Sequence, residues 1–222
     1  MFSLKRREIF RQQVTFNIIL AVLAIVVAFP IFWTICSSFK TIQEIYTLNP
    51  KILPKSLDFV NYKFLFETSV IDYKQAIINS IVVSITTVVI VVICSALGGY
   101  GFSRINFKYR DNIFNTIVML QFVPLTAGII AQWQIMSLLN LRDSLIGLAL
   151  LLAAIILPPN LVLMRQSFLS VPTELEDAAK IDGASTFQLL WHVMLPLAGG
   201  GLILVAVNSF LFTWGDFIYA RT

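Results

Sequence analysis

Charge is what this sequence has least of. Only 13% of its 222 residues are Asp, Glu, Lys or Arg, against roughly 25% in soluble globular domains. At the same time 58% are hydrophobic and the mean hydropathy is +0.83. A soluble chain of this size would lack the polar side chains to cover its surface, so the composition is that of an integral membrane protein. Histidine is nearly absent: His192 stands alone, which excludes a multi-histidine metal site. The two cysteines, Cys36 and Cys94, form no CxxC or metal-ligand spacing and lie in or beside apolar runs, where small buried residues suffice. There is no Gly-x-x-x-x-Gly-Lys-Ser/Thr loop, whose backbone amides would cradle nucleotide phosphates. Without a second histidine or paired intramembrane carboxylates, proton-relay and hydrolase readings have no residues to work with, so the chain is not expected to be an enzyme. The net charge of +4 does not imply nucleic acid as a partner, since no basic run with interleaved aromatics lies outside the apolar stretches. In a membrane protein a basic excess marks cytoplasmic loops instead.

What the chain has in quantity is apolar length. A bilayer core about 30 Å thick needs about 20 apolar residues per helix, and five stretches qualify: Thr15 to Ser38, Ile77 to Phe102, Ile113 to Leu139, Leu145 to Met164 and Met194 to Tyr219. The fold class read from this is all-α, a polytopic transmembrane helical bundle. The first stretch follows Lys5, Arg6, Arg7 and Arg11, too long and too poor in small residues at its end for a cleaved signal peptide. These basic residues place the N-terminus in the cytoplasm. Arg104, Lys108 and Arg110 after the second span are then cytoplasmic, as is the segment between the fourth and fifth. The loop after the first span is external and carries five lysines against Glu44, Asp58, Glu67 and Asp72, in a length regime where the charge rule weakens. The organisation expected is a cytoplasmic segment 1–14, a first span 15–38, an external loop 39–76 and a four-span core 77–222 with a cytoplasmic loop 172–193. The sequence ends at Ala220-Arg221-Thr222, directly after an apolar stretch, and the expectation is a shortened chain from which a sixth span is missing.

The cytoplasmic loop is where charge concentrates. PTELEDAAKIDGASTFQLLWHVMLP holds Glu174, Glu176, Asp177 and Asp182, four of the chain's twelve acids. Thr173 followed by Glu176 reads as a capping box, and acids in a first turn complement the helix dipole. Leu175, Ala178, Ala179 and Asp182 share a face at helical spacing, with alanines small enough for close approach by a partner. Gly183 supplies a turn, and Ser185 caps a second short helix on which Phe187, Leu190, Trp191 and Met194 share a face. An interfacial loop helix explains part of this pattern, but such helices carry Lys and Arg on their polar side. This one is acidic, with only Lys180, which favours a protein partner.

The segment resembles the EAA loop of membrane subunits of type I ABC importers. In that motif Glu-Ala-Ala is followed after three residues by Gly, and after nine more by Ile-x-Leu-Pro. Here Asp177-Ala178-Ala179, Gly183 and Val193-Met194-Leu195-Pro196 keep every interval, with Asp for Glu and Val for Ile. Asp182-Gly183-Ala184 is similar to the carbohydrate branch. Asn79-Ser80, Tyr100-Gly101-Phe102-Ser103-Arg104 and Trp214-Gly215-Asp216-Phe217 extend the likeness along nearly the whole chain, most of all to the second permease subunit of maltose-type importers. The resemblance implies a non-catalytic permease that forms half of a sugar path in the prokaryotic cell membrane. It implies a second permease subunit, two cytoplasmic ATPase subunits and an extracytoplasmic sugar-binding protein as partners. No cofactor would be bound by this chain; ATP and Mg would sit on the ATPase. Glu174, Glu176, Asp177, Ala178, Ala179, Asp182, Gly183, Ala184, Leu195 and Pro196 would form the coupling surface.

Intramembrane polar groups are costly and face protein or water. Gln121, Pro124, Thr126, Gln132 and Gln134 lie in the third stretch, Asn160 after Pro158-Pro159 in the fourth, and Asn208, Trp214 and Asp216 in the fifth. Gln121, Asn160, Asn208 and Trp214 are candidates for a translocation path, with hydrogen bonding between helices as the plainer alternative. Gly98-Gly99 and Gly199-Gly200-Gly201 suit close helix packing, and Arg104 and Arg165 read as positive-inside anchors. Two other functions fit an apolar bundle: a stand-alone secondary transporter or channel, and a membrane scaffold without transport.

Overall fold

The computed structural model describes residues 2–67, 72–123, 128–216 and 219, with side chains from Gln13 onward. Every regular element among them is helical. Pro124, Thr126, Phe217 and the last three residues, on which some sequence expectations fell, lie outside the described residues. The chain divides into two compact units, Met1–Lys74 and Gln75–Thr222.

The first unit is dominated by α1 (Phe2–Ser38), whose stretch Gln13–Ser38 is long and apolar enough to cross a membrane. Thus the segment expected before the first span is continuous with it. Two short helices follow, α2 (Ile42–Ile45) and α3 (Val60–Glu67). Asn61 ties the loop down, donating to the carbonyls of Ser38 at 3.0 Å and Lys40 at 2.8 Å. Lys40, one of the five lysines of the loop expected to be external, is buried. Its Nζ donates to the Lys51 carbonyl at 2.6 Å and lies 4.5 Å from the Trp33 ring centroid. This lysine therefore holds the loop together.

In the second unit α4 (Tyr73–Arg104) and α7 (Leu145–Leu169) are both of spanning length and composition. The third expected span, over Ile113 to Leu139, is instead two helices, α5 (Arg110–Leu120) and α6 (Ile129–Leu138). Each has about half the length that a 30 Å core demands. Proline at 124 has no amide to donate and biases its predecessor away from helix, so hydropathy averaged across it joins two elements into one. After α7 come α8 (Thr173–Ile181), α9 (Thr186–Gln188), a π-helical segment Leu189–Met194, α10 (Leu195–Leu197) and α11 (Gly199–Trp214). The fifth expected span, from Met194, is broken near its start: Thr186–Leu197 and Gly199–Trp214 meet at 77°.

Small residues set the spacing of the bundle. A Cβ added at Gly99 would lie 3.0 Å from the Arg165 backbone nitrogen and from Met164 Cβ, so α4 and α7 cross at backbone contact. Gly201 likewise faces Ser167, bringing α11 against α7, whereas Gly199 and Gly200 face nothing within 4 Å. Around these crossings Val91, Ile156, Met164, Phe168, Met194 and Val205 form a buried apolar core.

Candidate functional site

The acidic loop folds as two short helices joined by a tight turn. The Gly183 amide donates to the Lys180 carbonyl and the Ala184 amide to the Ala179 carbonyl, both at 3.0 Å. This pair of bonds is a Schellman motif, which satisfies the last carbonyls of α8 and requires a left-handed residue. Gly183 supplies it with φ of +83°, a conformation that costs L side chains roughly 1–2 kcal/mol. The turn thus explains Gly183 without any partner. Ser185 then caps α9 as expected, its Oγ accepting from the Gln188 amide at 3.3 Å while Gln188 Oε1 accepts from the Ser185 amide at 2.9 Å.

The capping box expected at Thr173 and Glu176 does not form. Helix α8 starts at Thr173 with Pro172 at the cap and no side-chain bond there. Glu176 turns inward instead, where it is buried and ion-paired with Arg104. Arg104, read from sequence as a positive-inside anchor, is the last residue of α4 and is itself nearly buried. Its Nη2 donates to the carbonyls of Phe168 at 2.8 Å and Val171 at 2.5 Å, which lie at and just past the C-terminal end of α7. A helix C-terminus leaves carbonyls unpaired and carries a partial negative charge, so the guanidinium satisfies the end of α7 and the carboxylate of α8 together. A planar fork with several donors does this where an ammonium would not. Arg165 makes a parallel tie, donating through Nε to the Phe102 carbonyl at 3.2 Å with its guanidinium 4.3 Å from the Phe114 ring centroid.

With Glu176 inward, the outward face of α8 is Glu174, Asp177, Ala178 and Ile181, all exposed and spaced i, i+3, i+4, i+7. Leu175 is exposed beside them, and Ile181 is 86% exposed. Asp182 and Gly183 continue this surface, whereas Ala179 packs against the core and Ala184 is half-buried. Ala179 therefore belongs to the inner side, contrary to the expectation that both alanines face a partner. Ile181 was not among the expected surface residues; its signal was its place four residues past Asp177 and three past Ala178. Lys180 Nζ lies 3.3 Å from Asp177 Oδ1, an exposed pair of the kind worth little to stability.

The face expected on the second helix splits. Leu189, Leu190 and Met194 are buried, while Phe187 and Trp191 stack outward with centroids 6.2 Å apart. The cause is the π segment, whose i to i+5 period puts residues 189 and 194 on one side. His192 is exposed, with Nδ1 3.2 Å from the Gln188 carbonyl. Leu195 is half-buried and Pro196 exposed, just before the bend into α11.

The translocation-path candidates do not converge on one place. Gln121 and Asn208, with Gln132 and Pro158-Pro159, line a cavity of about 720 Å³. Asn160 is fully buried. Its Nδ2 donates to the Ile156 carbonyl at 2.9 Å and its Oδ1 accepts from Asn208 Nδ2 at 3.1 Å. It serves as a bond between α7 and α11, the plainer of the two readings. Trp214 stands apart, stacked on Phe210 at 5.6 Å. Gln132 shows in the sequence only as a polar residue of the third apolar stretch. It lines this cavity and also a second one of about 350 Å³ with Trp133, Arg142 and Ser144.

A family model described as "binding-protein-dependent transport system inner membrane component" matches residues 93–222. Two relatives are similar over most of the chain. The galactooligosaccharides transport system permease protein GanQ of Bacillus subtilis (strain 168) is 32% identical, covering 92% of this chain and 72% of its own length. The inner membrane ABC transporter permease protein YcjP of Escherichia coli (strain K12) is 31% identical, with 90% and 72% covered. Among solved structures, a bacterial ABC transporter involved in import of the acidic polysaccharide alginate contains a chain similar to this one. The TM-score is 0.78 at 24% identity, over 94% of this chain and 72% of the other, a likeness of fold.

Proposed function

Because this chain belongs to the family of binding-protein-dependent transport system inner membrane components, we propose that it forms half of a translocation pathway for a sugar or oligosaccharide. A second permease subunit supplies the other half, and two cytoplasmic ATPase subunits drive the pair, one seated on the surface formed by α8, Gly183 and α9. ATP and Mg belong to the ATPases, and this chain is non-catalytic. An extracytoplasmic binding protein delivers the sugar, and the N-terminus lies in the cytoplasm. The names of relatives such as the galactooligosaccharide permease support the substrate class.

The observation that carries the coupling reading is the outward face of α8. Glu174, Asp177, Ala178 and Ile181 are exposed together, with Ile181 standing clear beside the Gly183 turn. An isoleucine left 86% exposed between acids gains nothing from water and suits the centre of a contact with a partly basic protein surface. A secondary transporter would instead carry ionisable residues within its spans. Those of α4 and α7 sit only towards the helix ends, at Lys74, Arg104 and Arg165, and α11 has none.

The test is purification of the tagged chain from its native membrane in mild detergent. The expected product holds an ATP-hydrolysing subunit in fixed ratio, and its ATP hydrolysis rises when the binding protein and an oligosaccharide are added together. A preparation without an ATPase, or sugar uptake abolished by a protonophore at constant ATP, would sink the proposal.

A further inference from the structure

We infer that Arg104 and Glu176 are positioning residues for coupling: they lock α8 to the cytoplasmic ends of α4 and α7, so that the three elements move as one body when the ATPase closes. The inference rests on the coupling role proposed above and assigns its load path within this chain.

Three observations converge on it. First, Glu176 sits in the middle of an otherwise exposed helix yet is 4% exposed, with its carboxylate spent on Arg104 rather than on a partner. Second, the same guanidinium holds the Phe168 and Val171 carbonyls, so one side chain touches the end of α4, the end of α7 and the first turns of α8. Third, the two spans it joins are already in backbone contact at Gly99 and Arg165, and a second arginine, Arg165, returns from α7 to the Phe102 carbonyl of α4. A displacement of α8 is therefore passed to α4 through the Arg104–Glu176 ion pair, and to α7 through the bonds of the same guanidinium to the Phe168 and Val171 carbonyls. Only Pro172 separates the Val171 carbonyl from α8, so chain connection alone ties α8 to α7. The ion pair adds a direct side-chain tie to α4.

The acids that would meet a partner are different ones. Glu174 and Asp177 point outward, so loss of Glu176 leaves the partner face intact. This separates positioning from binding and gives the test. In a background with Cys36 and Cys94 replaced by serine, nitroxide labels at Thr173→Cys, exposed on α8 but outside the face formed by Glu174, Asp177, Ala178 and Ile181, and at Ile93→Cys on α4 report their separation by pulsed electron resonance. The complex purified with its ATPase is measured without nucleotide and after trapping with ATP and vanadate. The expected result is one narrow distance in both states for the parent. Glu176→Gln should keep the ATPase bound but lose the single narrow distance on trapping. A parent distance that shifts on trapping overturns the inference, as does a Glu176→Gln complex that keeps the parent's narrow distance. Should Glu176→Gln fail to assemble, Arg104→Lys, which keeps the charge but not the fork, is read by the same criterion. Absence of an ATPase from the unsubstituted complex is a separate outcome and removes the coupling reading itself.

Discussion

Ala178→Arg is expected to leave this chain folded and in the membrane but to strip it of the ATPase proposed to bind α8. Within the chain the substitution costs little. Ala178 is exposed on the outward face of α8, arginine is almost as good a helix former as alanine, and surface changes of this kind stay within about 0.5 kcal/mol. At the partner's surface the same change is severe. A methyl group becomes a long cation at the centre of a close contact, between Leu175, Asp177 and Ile181, where a charge without a partner is expensive to desolvate. A loss of affinity of at least about 100-fold, or roughly 3 kcal/mol, follows. It is read as the ratio of ATPase to permease after purification, with the thermal unfolding of the permease in detergent unchanged. An arginine variant that retains a full complement of ATPase would place the contact elsewhere.

The second large effect lies inside the bundle. Gly99→Leu is expected to stop the protein accumulating in the membrane. A Cβ at this position would already lie 3.0 Å from the Arg165 backbone nitrogen, and a backbone atom cannot rotate out of the way. Overpacking alone costs about 1–3 kcal/mol, and the three further carbons of leucine force α4 and α7 apart. Arg104, one and a half turns along α4, then loses the Phe168 and Val171 carbonyls as well. Gly101→Leu is the control, because nothing lies within 4 Å of a Cβ there. Accumulation and melting temperature in detergent should fall sharply for the first variant and hold for the second. Equal behaviour would mean that the crossing is not set by Gly99.

These two sites differ in how far the sequence alone reveals them. Ala178 and Gly183 were legible because their signals are local: helical spacing, a cap residue, a left-handed turn. Ser185 with Gln188 was legible for the same reason. The membrane bundle followed from apolar length, since α1, α4 and α7 are uninterrupted. Apolar length misread Ile113 to Leu139, where a window average hides a proline. It also placed the start of the last span before the 77° bend after Leu197. The π segment was invisible because its period depends on packing around Leu189 and Met194, not on residue type. Long-range pairs were invisible too. Nothing at position 176 names Arg104 as its partner, and a glutamate three residues after a threonine is read as a capping box by any local rule. Asn160 offered the same ambiguity, since a buried amide suits a helix contact as well as a sugar path. In the structure it bonds Ile156 within α7 and Asn208 of α11, the latter an interhelical contact.

In the function proposed, a cytoplasmic ATPase takes hold of the membrane helices at the surface around Gly183. The most direct measurement places a photoreactive benzoylphenylalanine at position 181, the most exposed apolar side chain of α8, and irradiates intact native membranes. One dominant adduct is expected, with a nucleotide-binding subunit, lost when Ala178→Arg is introduced alongside. Adducts with lipid alone, or with a protein that binds no ATP, would contradict it.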